Sequence, residues 1–153
     1  MKTLIKIIIS LIFAVLFFNG AWSQEITSSG KKIWINNLPA LNIISVGLVD
    51  ANNNKLVEAE ENCYLEIVIK NSGNGIGRTV NLDVSLDTPP VKGFSFKNSI
   101  YAGNLVDGKE YTFQVELYPS VTMAAGMARL KIEALEGNAY NSKPKYINLN
   151  LKA

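Results

Sequence analysis

The stretch that decides the fold is TVNLDVSLD, Thr79 to Asp87. Val80, Leu82, Val84 and Leu86 fall on one side of an extended chain, and Asn81, Asp83 and Ser85 on the other. Successive side chains of a strand point to opposite faces, so this period of two predicts a strand with one face buried and one wet. Four more runs repeat it. CYLEIVIK (Cys63 to Lys70) puts Leu65, Ile67 and Ile69 together. YTFQVEL (Tyr111 to Leu117) sets Tyr111, Phe113, Val115 and Leu117 against Thr112, Gln114 and Glu116. ARLKIEAL (Ala128 to Leu135) has Leu130 and Ile132 inside, with Lys131 and Glu133 outside. YINLNLK (Tyr146 to Lys152) closes the chain. LNIISVGLV (Leu41 to Val49) is rich in β-branched residues and reads as another strand. KKIWI (Lys31 to Ile35) reads as a possible short first one.

Turn signals separate these runs: NSGNGIG, DTPPVKG, VDG and EGN. No window of helical length has an apolar period near 3.6. SVTMAAGM comes nearest in composition, and its Gly126 weakens it. No repeat of solenoid length is visible. The pattern predicts an all-β domain over residues 41–153, an immunoglobulin-like antiparallel two-sheet sandwich of seven to eight strands.

The N-terminus reads as a targeting segment. Lys2 and Lys6 precede the apolar run Ile7 to Phe18, and small residues at Ala21 and Ser23 follow. This predicts a signal peptide over residues 1–23, cleaved after Ser23, and so a secreted or periplasmic protein. The apolar run is shorter than the roughly 20 residues a spanning helix needs, so no membrane span is expected in the mature chain. Residues 24–40 read as a polar leader, the possible first short strand at Lys31–Ile35, and a turn through Asn36, Asn37 and Pro39.

The full chain carries 15 basic and 13 acidic residues, and residues 1–23 hold two of the lysines and no acid. The remainder is therefore neutral, at thirteen of each. A nucleic-acid partner is not expected, because no basic cluster exceeds the pair Lys31 and Lys32. Cys63 is the single cysteine, so no internal disulfide can form. Its place in an apolar alternation reads as a small core side chain.

Catalysis has little to stand on. The chain has no histidine, which removes the usual general base near neutral pH and the commonest metal ligand. Acidic pairs such as Glu60 with Glu61, or Asp83 with Asp87, read as solvated surface. GNGIG lacks the lysine and helix of a phosphate cradle and reads as a turn needing positive φ. Met123 and Met127 read as loop or core side chains. The protein is read as no enzyme, and no cofactor is certain.

One motif carries possible metal chemistry. With Asp50 as position one, Asn52 and Asn54 stand at three and five, and the carbonyl of Leu56 at seven. Glu58 is at nine and Glu61 at twelve. Oxygen ligands at those places suit calcium. Val57, at eight, is expected to point into the core. Position six wants glycine for a sharp turn, and this chain has Lys55. The alternative is an asparagine-rich turn between two strands. A contact surface is expected in the loops bearing Trp34, Pro89, Pro90 and Phe94, against the alternative that Trp34 and Phe94 are buried.

The run DANNNKLVEAEENCYLEIVIKNSGNGIGRTVNLDVSL resembles the core of bacterial immunoglobulin-like domains related to CARDB, the cell adhesion related domain found in bacteria. The matching residues are Asp50, Asn52, Asn54 and Glu60 or Glu61. Asn71 and Gly73 follow, then the strand from Val80 to Leu86. Leu105 and Gly108 fit a later turn, and the likeness spans roughly Leu41 to Leu151. The resemblance implies a non-catalytic binding or structural module at the bacterial cell envelope, with an envelope or secreted protein as partner. The alternative is a carbohydrate-binding sandwich that offers Trp34, Tyr101 or Tyr118 to a glycan.

Overall fold

The computed structural model describes residues 37–153. The predicted signal peptide, its cleavage site after Ser23, the possible strand at Lys31–Ile35 and Trp34 lie outside the described residues. Nine strands are present among those described: β1 (Leu41–Val49), β2 (Val57–Glu58), β3 (Cys63–Asn71), β4 (Gly77–Leu86), β5 (Phe94–Phe96), β6 (Ser99–Leu105), β7 (Glu110–Pro119), β8 (Gly126–Leu135) and β9 (Lys145–Lys152). No helix long and apolar enough to cross a membrane occurs among them.

The strands form two sheets, ordered β1-β3-β7-β5 and β2-β9-β8-β4-β6. All pairings are antiparallel except β2 with β9, which runs parallel over Val57–Leu151 and Glu58–Lys152. The all-β, two-sheet expectation holds, but the expected seven to eight strands become nine. β2, β5 and β6 were not read from the sequence. The first two are only two and three residues long, too short to show a period. β6 (SIYAGNL) breaks its own alternation at Gly103, whose φ is +75°.

The period-two residues fill the space between the sheets. Leu65, Ile67 and Ile69 of β3 are fully buried, as are Val80 and Leu82 of β4 and Leu130 and Ile132 of β8. Burying such a side chain contributes about 2 kcal/mol. β1 shows how a slip is absorbed. Its inward residues are Leu41 and Ile43, then Val46 and Leu48, a change of phase. A bulge between Ile43 and Ser45 takes up the extra residue and leaves Ile44 exposed.

One end of the sandwich is closed by buried polar groups. Asn71 is fully buried and its amide makes four hydrogen bonds. Its Oδ1 accepts from the N–H of Ala40 at 3.0 Å and of Gly73 at 3.1 Å. Its Nδ2 donates to the carbonyls of Gly75 at 2.7 Å and Leu105 at 2.9 Å. The segment Asn37–Ala40 lies across this turn, with Leu38 O accepting from Asn74 and Gly75. The NSGNGIG reading is corrected here: Gly73, Gly75 and Gly77 are not at positive φ. A Cβ on Gly73 or Gly75 would strike the backbone of residues 37–40, so these glycines permit close approach of two chain segments. Glu136, also buried, accepts from the N–H of Arg78 at 2.9 Å, Asn138 at 2.6 Å and Tyr140 at 3.4 Å. Burial alone would raise its pKa, but these amide bonds outweigh it and hold the carboxyl below the usual range.

Candidate contact surface at the loop end

The opposite end gathers the loops 50–62, 87–93 and 120–125. Asp50, Asn52, Asn54, Leu56, Glu58 and Glu61 share the first loop, and Pro89 and Pro90 lie on the second. The two loops meet where Glu60, Glu61 and Asn62 border one hollow with Gly93, Phe94 and Ser95. The first loop is built from short-range bonds. Asp50 Oδ2 accepts from the N–H of Lys55 at 3.0 Å, Asn52 Oδ1 from Asn54 at 3.0 Å, and Asn54 Oδ1 from Leu56 at 2.8 Å. Each oxygen thus turns the backbone back on itself. Glu61 closes the loop by accepting from Ala51 N at 3.0 Å and Glu58 N at 3.2 Å. Glu58 accepts from Asn52 Nδ2 at 2.7 Å and from Lys152 Nζ at 2.7 Å. Lys152, then Asn52, hold its carboxyl below the usual range.

Two details bear on the metal motif. Lys55 takes φ 62°, the left-handed turn that position six of a calcium loop demands of glycine. Val57 is fully buried, as expected for position eight. Yet among the described residues no three acidic, cysteine or histidine side chains gather as an ion-holding group. The acids instead bind amides of their own loop.

The expected loop surface needs one correction. Pro89 and Pro90 are exposed, but Phe94 is 8% exposed and belongs to the core. It stands at the start of β5, opposite Pro119, with its ring 6.0 Å from that of Phe96. An isolated Phe in a Gly- and Pro-rich run carries no period that would place it inside. Its burial follows from β5 crossing to the edge of the first sheet.

What sequence reasoning missed is a pair of hollows that share Tyr118. One, of about 580 Å³, lies between the loop residues Glu60 to Asn62, the start of β5 and the end of β7. The other, of about 330 Å³, runs over Tyr64, Gln114 and Glu116 on the outer face of β3 and β7. Tyr118 is 49% exposed between them. Its hydroxyl donates to Glu116 at 2.6 Å, and this bond first, then burial, pushes its pKa up. Strand parity could have placed Tyr118 on the wet face; the hollows come from the loop folding back, with Glu60 N donating to Pro119 O at 3.0 Å.

The other candidates are placed plainly. Cys63 is buried, its thiol pushed up to about 11 by burial and then by Glu61 and Asp50, which makes it a poor nucleophile. Met123 is buried and Met127 exposed. The outer face of the second sheet is self-paired, with Lys131 to Glu133 at 2.8 Å and Arg129 to Asp87 at 3.3 Å. Tyr101, 67% exposed, is on that second sheet, so it shares no platform with Tyr118.

No protein-family model matches the chain. No curated protein matches it. Among solved structures, a FixG-related protein from Vibrio parahaemolyticus is similar, at 11% identity, over 71% of this chain and 96% of that one, with a TM-score of 0.46. A likeness at that level bears on neither the fold nor the function.

Proposed function

We propose that this chain is a non-catalytic module of the bacterial cell envelope that makes protein or adhesion contacts through its loop end. The observation that carries the reading is the half-exposed Tyr118 between two hollows, where three loops converge. Aromatic residues standing in such hollows are frequent anchors of protein interfaces. The immunoglobulin-like, CARDB-related assignment belongs to the same proposal. Its support is the strand order: β1-β3-β7-β5 against β9-β8-β4 follows the A-B-E-D against G-F-C arrangement of that fold. The short β5, which precedes β6 instead of following it, departs from the pattern. Secretion rests on the N-terminal sequence alone.

The test is capture from an envelope extract by the immobilised protein, its Tyr118→Ala variant and a Tyr101→Ala control. Loss of a partner with Tyr118→Ala alone supports the reading. Equal capture by all three would sink it.

Two further readings have specific support. A glycan fits the polar groups around Tyr118, namely Asn62, Ser95 and Ser120; a glycan array separates it from a protein partner. Calcium in the Asp50–Glu61 loop is supported by Lys55 at φ 62° and by buried Val57. A melting midpoint raised by millimolar calcium over EDTA, and not in Asp50→Ala, would establish it by mass action. Identical melts would leave the loop an asparagine-rich turn.

A further inference from the structure

We propose that the hollows beside Tyr118 receive an extended, lysine- or arginine-bearing segment of a partner protein, an inference that rests on reading the loop end as a protein-contact surface. Three separate features point to that chemistry.

The first is charge. Glu60, Glu61 and Glu116 line the hollows, and among the described residues no lysine or arginine does. The ion pairs among the described residues are Lys70–Glu110, Arg129–Asp87, Lys131–Glu133 and Lys152–Glu58. Glu61 is occupied by two backbone amides of its own loop. Among the described residues, Glu60 and Glu116 are exposed and form no ion pair, and the Glu116 carboxylate accepts only the Tyr118 hydroxyl. Lys97 stands across from Glu116, its N–H on Glu116 O at 3.0 Å, but forms no ion pair with it, and neither Lys92 nor Lys97 lines a hollow.

The second is the ring. The Tyr118 face stands exposed between two carboxylate-lined hollows, and its hydroxyl is anchored on Glu116. A cation seated there meets the negative face of a ring and a carboxylate together.

The third selects a polypeptide over a small cation. β5 ends at Phe96, and its last bond to β7 is Lys97 N–H to Glu116 O at 3.0 Å. Below it, no described strand pairs with that edge of β7 down to Glu110. Alternate residues of an antiparallel strand bond to the same neighbour. Thr112 and Gln114, in step with Glu116, therefore turn their N–H and C=O to the open edge. An extended segment that takes up the line where β5 stops would pair there.

The test titrates the purified protein with a labelled ten-residue peptide alternating arginine and threonine, and with its citrulline counterpart. The arginine peptide is expected to bind, and to move the amide resonances of Thr112 and Gln114. The citrulline peptide, and the Glu60→Gln/Glu116→Gln variant, are expected to bind about tenfold more weakly. Equal affinity for both peptides, no binding of either, or binding that leaves Thr112 and Gln114 unmoved would overturn the inference. If Tyr118-dependent capture from extract persists in high salt and in the double variant, the contact reading stands and only this inference falls. If no capture depends on Tyr118, both fall.

Discussion

The two ends of the sandwich use the same residue types for opposite purposes. At the end around Asn71 and Glu136, polar side chains are buried and tie distant segments together: Asn71 reaches Ala40 and Leu105, and Glu136 reaches Arg78. At the other end, asparagines and glutamates bond chiefly to their own loop, mostly a few residues away. The first arrangement locks loops of both sheets into one unit. The second holds a loop in shape without filling the space beside it, and the hollows around Tyr118 are the result. Polar composition alone does not distinguish a lock from a surface; the reach of the hydrogen bonds does.

The sharpest way to break this comparison is Asn71→Ala. It removes the partner of two buried carbonyls and of two part-buried N–H groups, and about 3 kcal/mol of stability should be lost in urea unfolding. A loss below about 1 kcal/mol would mean that water replaces the amide and the end is not locked.

Glu136 gives the next effect, with a pH signature. Its folded pKa is lowered from 4.5, so its contribution is present above that value and is lost as the pH falls through the lowered one. Glu136→Gln should flatten the acid limb of a melting-temperature profile. Parallel acid limbs would show that the amides do not favour the charged form.

Smaller again is Asn54→Ala in the exposed loop. The turn-closing bond at 2.8 Å and the Nδ2 bond to Glu58 at 3.2 Å are removed where water can replace them, and about 0.5–1 kcal/mol should be lost. A cost equal to that of Asn71→Ala would erase the difference between the ends. The smallest effect belongs to Tyr118→Ala, expected within about 0.5 kcal/mol of the parent in unfolding, while partner capture is lost.

The legible part of the structure was the part written in local patterns. Thr79 to Asp87 alternates, and Val80, Leu82 and Val84 are buried while Asn81 is exposed. The bonds from Asn52 to Asn54 and from Asn54 to Leu56 span two residues, so the asparagine run could be read as a turn. What escaped depends on distance along the chain. The glycines of NSGNGIG are small because residues 37–40 lie on them. Phe94 is inside because β5 pairs with residues 117–119. The hollows exist because Glu60 bonds back to Pro119. None of these has a spacing that a reader of the sequence could count.

Native-state amide hydrogen exchange on the intact protein tests the central claim most directly, since it measures how each end opens. The amides of Ala40, Gly73, Arg78 and Asn138 should exchange only through global unfolding. Those of Ala51, Asn54, Lys55 and Leu56 should exchange through local openings at clearly lower free energy. Equal protection at the two ends, or faster exchange around Asn71 and Glu136, would contradict the account.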